Sequence, residues 1–213
     1  MNVYAILNQK GGVGKTTIAL NLGRALQLMG DSVVAYDSDP QGSLRDWYFA
    51  GPGLLPVVGQ DRPVLDRVIK QQPRVDHVII DGAPQATELA ASGIKAATFV
   101  VIPVEASEFS VWAAEDMVEL VKQRIEITDG ALQAAFLINK QVENTRLAGN
   151  IADKLATYEL PVLQSRLCFR QAYAACVESG QSVLDTEPGS KAALEVTQMA
   201  AELVRIHAKR VAA

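Results

Sequence analysis

Few features that mark secreted, membrane-spanning or disordered chains occur in this sequence. Two cysteines, Cys168 and Cys176, stand in 213 residues. They are too few for a secreted disulfide framework and lack metal-ligand spacing, so they read as reduced core residues. The longest run without charge, Trp47 to Gln60, has fourteen residues and is broken by three glycines and two prolines, whereas a membrane-spanning helix needs about 20 apolar residues. The opening MNVYAILNQ carries no basic segment and no cleavage pattern, so no signal peptide is read there and a cytoplasmic protein is expected. Histidines are two, His77 and His207, which leaves no acid–base constellation. Core or surface roles are read for both, as for Trp47 and Trp112. Basic excess is missing too: 20 Lys and Arg face 24 Asp and Glu for a net charge of −4, so any contact with nucleic acid has to be local.

What remains, 49% hydrophobic and 21% charged residues, is the composition of a soluble domain, read as one unit over 1–213. Short apolar runs at 2–8, 32–37, 75–82, 97–104, 131–139 and 161–167 alternate with amphipathic stretches at 15–29, 61–72, 85–95, 110–127, 146–158 and 190–210. Near-continuous apolar strands between helices are what a parallel sheet covered on both faces requires. The expectation is a doubly wound α/β fold with a mostly parallel sheet. Helix faces are read at Ile18, Leu22, Ala25, Leu26 and Met29, at Val111, Ala114, Val118, Val121 and Ile125, and at Ala192, Val196, Met199, Leu203 and Ile206. The Gly/Pro-rich piece 50–59 reads as a surface excursion.

Between the first strand and the first helix lies Asn8-Gln9-Lys10-Gly11-Gly12-Val13-Gly14-Lys15-Thr16-Thr17. Glycines there let backbone N–H groups curl round a phosphate chain, and the following helix aims its positive end at the same anion. Lys15 supplies a charge for the β- and γ-phosphates, and the Thr16 hydroxyl suits Mg²⁺. Strand 75–82 delivers Asp81 to the same metal in the Walker B layout, with Gly82-Ala83-Pro84 after it as a loop able to change state on hydrolysis. Asp37 and Asp39 sit at the carboxyl end of strand 32–37, where open α/β sheets bind ligands.

The first glycine position of the ordinary phosphate loop is filled by Gln9, and a second lysine, Lys10, precedes the glycine pair. KGGVGKTT thereby resembles the deviant Walker A motif of the ParA/MinD ATPases, and the short chain looks most like the small ParA proteins of plasmid partition. The resemblance extends over DSDPQGS at 37–43, VVIPVEASEFS at 100–110 and the Asn139 segment. It implies ATP and Mg²⁺ as cofactors and an ATP-bound homodimer in which Lys10 reaches the partner's phosphates. By the same resemblance Asp39 orients the attacking water, Asp37 supports Mg²⁺ through its hydration shell, and Asn139 contacts adenine. Arg170 is similar in placement to an arginine that stacks on or hydrogen-bonds the base, with a surface salt bridge as the other reading.

The resemblance further implies weak, partner-stimulated ATP hydrolysis, non-specific DNA binding with nucleoid association in the ATP state, and a centromere-binding or cargo adaptor protein. From Pro161 onward six Lys and Arg meet five Asp and Glu, against 14 and 19 before it, so positive charge leans toward the end of the chain. Lys191, Arg205, Lys209 and Arg210 are the DNA candidates on the last helix. The sequence begins at its first strand, so an upstream DNA-reading helix-turn-helix is not expected. Two other readings stand beside this one. A MinD-like membrane-positioning ATPase would need a terminal amphipathic helix, for which HAKRVAA is short and Ala-rich; an ATP-using metabolic ligase would need a small acid substrate. No membrane contact is expected.

Overall fold

In a computed structural model, residues 1–84, 88–143 and 147–211 are described, with side chains for all of these except 147–149 and 209–211. Seven strands form one sheet: β1 (Asn2–Ile6), β2 (Val33–Asp37), β3 (Val57–Gly59), β4 (His77–Asp81), β5 (Phe99–Glu105), β6 (Gln133–Gln141) and β7 (Val162–Cys168). Their spatial order is β3-β2-β4-β1-β5-β6-β7. Every pairing is parallel, so the expected mostly parallel sheet is wholly parallel among the described residues.

The helices are α1 (Lys15–Leu28), α2 (Ser43–Ala50), α3 (Leu65–Gln71), α4 (Glu88–Ala96), α5 (Glu108–Trp112), α6 (Glu115–Ile127), α7 (Leu147–Ala156), α8 (Gln171–Glu178), α9 (Val183–Thr186) and α10 (Lys191–Val211). Because successive strand residues point to opposite faces, Tyr4 and Ile6 join Ile79, Val101 and Leu137 under α1 and α10. Val3, Ala5 and Leu7 join Ile80, Val100 and Ile102 under α4 and α6. Two apolar layers, one on each face, explain why the central strands carry no polar alternation.

Three expectations change. The excursion at 50–59 closes α2 and contains β3, with Leu55 fully buried; its prolines and glycines conceal a short edge strand, where such residues are tolerated. The helix expected over 110–127 is two, α5 and α6, divided at Ala113 and Ala114. Met29 lies beyond the buried stripe of α1 and is exposed.

At the β7 edge, backbone donors that a further strand would take are satisfied from α10. Glu202 accepts from the N–H groups of Gln164 and Ser165 at 2.8 Å each. Glu195 accepts from that of Cys168 at 3.1 Å.

Candidate functional site

Three strands, β2, β4 and β5, end on an acidic residue at one rim of the sheet, and β6 carries Asn139 beside the last of them. Asp37 and Asp81 are register partners on β2 and β4, and Glu105 and Asn139 on β5 and β6. The loop from Asn8 to Gly14 rises from β1 between them. Gly12 and Gly14 adopt left-handed backbone, φ 76° and 92°, a conformation that costs glycine little. Gly14 is the N-cap of α1 and brings no side chain to cap it, so the free N–H groups of the first turn face the loop.

Lys15 lies in that turn, 7% exposed, its Nζ donating to the carbonyl of Lys10 at 3.1 Å. Burial pulls its ammonium below the ordinary lysine range, while Asp81 and Asp39 act against that pull. Asp81 is fully buried, and neither carboxylate oxygen has a hydrogen-bond partner in ordinary geometry. Burial pushes its carboxyl up to about 7; the nearby Thr16 hydroxyl and Lys15 lower it, and Asp37 and Asp39 add to the rise. An orphaned buried carboxylate beside a hydroxyl and a half-desolvated ammonium is an unfavourable arrangement by itself. Thr16 and Asp81 together fit a hard divalent cation, which takes oxygen donors.

Asp37 is buried and already engaged. Its Oδ1 accepts from the Asp39 N–H at 3.1 Å, and its Oδ2 from the N–H and Nε of Arg45 at 2.9 and 3.3 Å. Arg45 also donates to the Asp39 carbonyl at 3.1 Å, which ties the loop between β2 and α2 to a guanidinium absent from the sequence reading. Asp39 is half-buried and its Oδ1 accepts from the Gln41 N–H at 2.9 Å. Gly82, Ala83 and Pro84 follow Asp81, and residues 85–87 lie outside the described ones.

Lys10 turns away from its own glycine loop. Its Nζ pairs with Glu105 at 3.0 Å and donates to Ser110 of α5 at 2.8 Å. Glu105, Ser110 and Lys140, which also pairs with Glu105 at 2.9 Å, had no role assigned from sequence, although Glu105 lies within the segment that carries the family resemblance.

Beside Gly14 opens a cavity of about 340 Å³ lined by Thr17, Asn139, Phe169, Arg170 and Tyr173. The Asn139 amide donates to the Val13 carbonyl at 2.7 Å. Arg170 bridges Glu195 and Glu143 at the rim; hydrogen bonding to Glu195 chiefly holds its guanidinium protonated. The ion pair borders the cavity. Burial and Glu195 push the Cys168 thiol up to about 11, so it stays protonated at neutral pH.

Of the DNA candidates, Lys191 pairs with Glu143 and is 71% exposed at its side chain. Arg205 borders Glu202 and Gln198 on α10. The side chains of Lys209 and Arg210 lie outside the described residues. Cys176 is buried and Cys168 half-buried, both free. His77 and His207 are buried, as is Trp47, whereas Trp112 is exposed. No helix among the described residues is long and apolar enough to cross a membrane.

The family described as the CobQ/CobB/MinD/ParA nucleotide binding domain matches residues 4–183. A maintenance of carboxysome distribution protein A from Halothiobacillus neapolitanus is 30% identical over 209 residues, covering 94% of this chain and 95% of that one. A chromosome partitioning protein ParA from Caulobacter vibrioides is 39% identical over 95 residues, 42% of this chain and 36% of its own length. Among solved structures, a septum site-determining protein MinD from Pyrococcus horikoshii complexed with Mg-ADP superimposes with a TM-score of 0.74 at 18% identity, covering 97% of both chains. A cobyrinic acid a,c-diamide synthase from Mycobacterium smegmatis with bound ADP and magnesium gives 0.76 at 24% identity, over 96% of this chain and 94% of that one. These last two likenesses establish the fold.

Proposed function

Because the chain belongs to the CobQ/CobB/MinD/ParA nucleotide-binding domain family, we propose that residues 1–213 form one P-loop ATPase unit that positions cargo through an ATP-dependent dimer. The observation that carries this reading is the buried, unpartnered Asp81 carboxylate beside Thr16 and Lys15, under a loop with a lysine on each side of its glycines. Gly11 to Thr17 cradle the phosphates with backbone N–H groups, and Lys15 compensates the β- and γ-phosphate charge. Thr16 and Asp81 hold Mg²⁺, with Asp37 acting through its hydration shell. When bound, Mg²⁺ neutralises charge on the transferring phosphoryl oxygens.

Asp39 orients the attacking water. Asn139 and Arg170 border the cavity that takes adenine, and its size suits a nucleobase with room for solvent. Lys10 is offered to the triphosphate of a second protomer, a trans-acting cation of the kind typically worth about 10³–10⁵ in rate. Non-specific DNA is held in the ATP state through Lys191, Arg205, Lys209 and Arg210, which places the protein on the nucleoid between cytoplasmic phases. A centromere-binding or cargo adaptor protein stimulates hydrolysis. The full-length relative named for carboxysome distribution supports a large assembly as cargo alongside a plasmid or chromosome.

The test is a set of three measurements on the full chain with Mg-ATP, Mg-ADP and no nucleotide. Calorimetry should show ATP binding, light scattering a mass that doubles with ATP alone, and retention on random DNA should require ATP and fall steeply with salt. Absence of nucleotide binding would overturn the reading. Unchanged DNA retention after charge reversal at Lys191 and Arg205 would remove those residues from the DNA surface.

A further inference from the structure

One carboxylate holds two lysines of the site at once. Glu105 Oε2 meets Lys10 Nζ at 3.0 Å and Oε1 meets Lys140 Nζ at 2.9 Å. Lys10 Nζ also donates to Ser110 Oγ at 2.8 Å, and Lys140 Nζ to the Gly12 carbonyl at 2.5 Å. The backbone beneath Lys10 is fixed, its N–H on Asn8 Oδ1 at 3.0 Å and its carbonyl under Lys15 Nζ at 3.1 Å. Asn8 is in turn anchored to the Pro103 carbonyl at 2.7 Å. The Lys10 ammonium, by contrast, is held only by side chains, Glu105 and Ser110.

We propose that Glu105 is a positioning residue that keeps Lys10 retracted in a single protomer and yields it only to the triphosphate of a second one. This rests on the two-protomer reading above. A partly exposed carboxylate shared between two ammonium groups holds either of them weakly, whereas a triphosphate presents several anionic oxygens to the same ammonium. The exchange therefore runs toward phosphate once a second protomer brings it near. Lys140 stays behind on Glu105, so the carboxylate is not left uncompensated beside the incoming phosphates, the situation that makes breaking a half-buried pair costly. The pairing also draws the Glu105 carboxyl below the ordinary range against the effect of its burial, so the latch stays ionised at neutral pH.

The experiment measures ATP-dependent self-association of the full chain by light scattering across protein concentration. Nucleotide affinity is measured in parallel by calorimetry and folding by thermal unfolding. Glu105→Gln should move the midpoint of association to about two- to fivefold lower concentration, the range a single solvent-accessible ion pair supplies, with affinity for ATP in the dilute monomer unchanged. Glu105→Asp keeps the charge and should stay near wild type. Ser110→Ala should shift the midpoint in the same direction by a smaller factor, and serves where Glu105→Gln folds poorly. Lys10→Ala/Glu105→Gln should match Lys10→Ala, because the carboxylate acts through that lysine. An unshifted midpoint in Glu105→Gln, or the same shift with Lys10 removed, overturns the latch and leaves the dimer reading intact. A wild-type protein that does not associate with ATP overturns that reading and the latch with it.

Discussion

Asn139, at the rim of β6, donates its side-chain amide to the carbonyl of Val13 at 2.7 Å and so pins the phosphate loop to the far half of the sheet. The same amide nitrogen stands 2.5 Å from where a Cβ on Gly14 would lie, closer than real Cβ contacts come. One side chain thus limits both the shape of the loop and the residue allowed at its end.

Asn139→Ala leaves the buried Val13 carbonyl without a partner, a loss of about 1–3 kcal/mol. Affinity for ATP and ADP should fall by similar factors in calorimetry, since the two nucleotides share the base and the loop. Unchanged affinity for both would detach Asn139 from nucleotide binding.

Lys15 and Lys10 should separate cleanly. Lys15→Ala removes the cation buried at the helix start and should abolish ATP binding. Lys10→Ala, whose side chain sits on Glu105 and Ser110 in the lone protomer, should retain nucleotide and lose stimulated hydrolysis. Normal turnover in Lys10→Ala would count against a trans role.

Asp81→Asn should raise the unfolding temperature of the nucleotide-free protein in EDTA at pH 8 and abolish the Mg²⁺ enhancement of ATP binding. The sign follows from the raised pKa. The native carboxyl titrates near 7 against an ordinary 3.8, so the native state binds the extra proton between those values and stability falls as pH rises through them. Above pH 7 the wild type carries the whole cost of a buried charge. The gain from asparagine should therefore shrink at pH 5; an equal gain at both would contradict the assignment.

Glu202 behaves in the opposite sense. Burial raises its carboxyl, but the Ser165 and Gln164 contacts outweigh this and hold it below the ordinary 4.5. Its contribution is present above that value and is lost as pH falls through the lowered one. Glu202→Gln should lose roughly 1 kcal/mol at pH 7, the difference between charged and neutral hydrogen bonds. Denaturant unfolding should show the gap to wild type closing as pH falls through the lowered native value, where the wild-type carboxyl takes up its proton as well.

The α/β alternation was legible because buried parallel strands leave unbroken apolar runs, and α10 because Ala192, Val196, Met199 and Leu203 keep helical spacing and are all buried. The loop was legible because glycines, lysine and threonine are contiguous. Arg45, Glu105 and Lys140 escaped because their meaning lies in partners 8, 95 and 35 positions away, which periodicity does not encode. β3 escaped because three residues among prolines and glycines leave no alternation to read.

Glu195 and Glu202 stand seven residues apart, two helical turns, and their carboxylates act as stoppers along the outermost strand. At the opposite margin β3 offers only a three-residue template. Lateral strand-by-strand growth therefore finds no ready seam on the β7 side and a very short one on the other. Both margins of the sheet are therefore poor seeds for fibre growth at high local concentration.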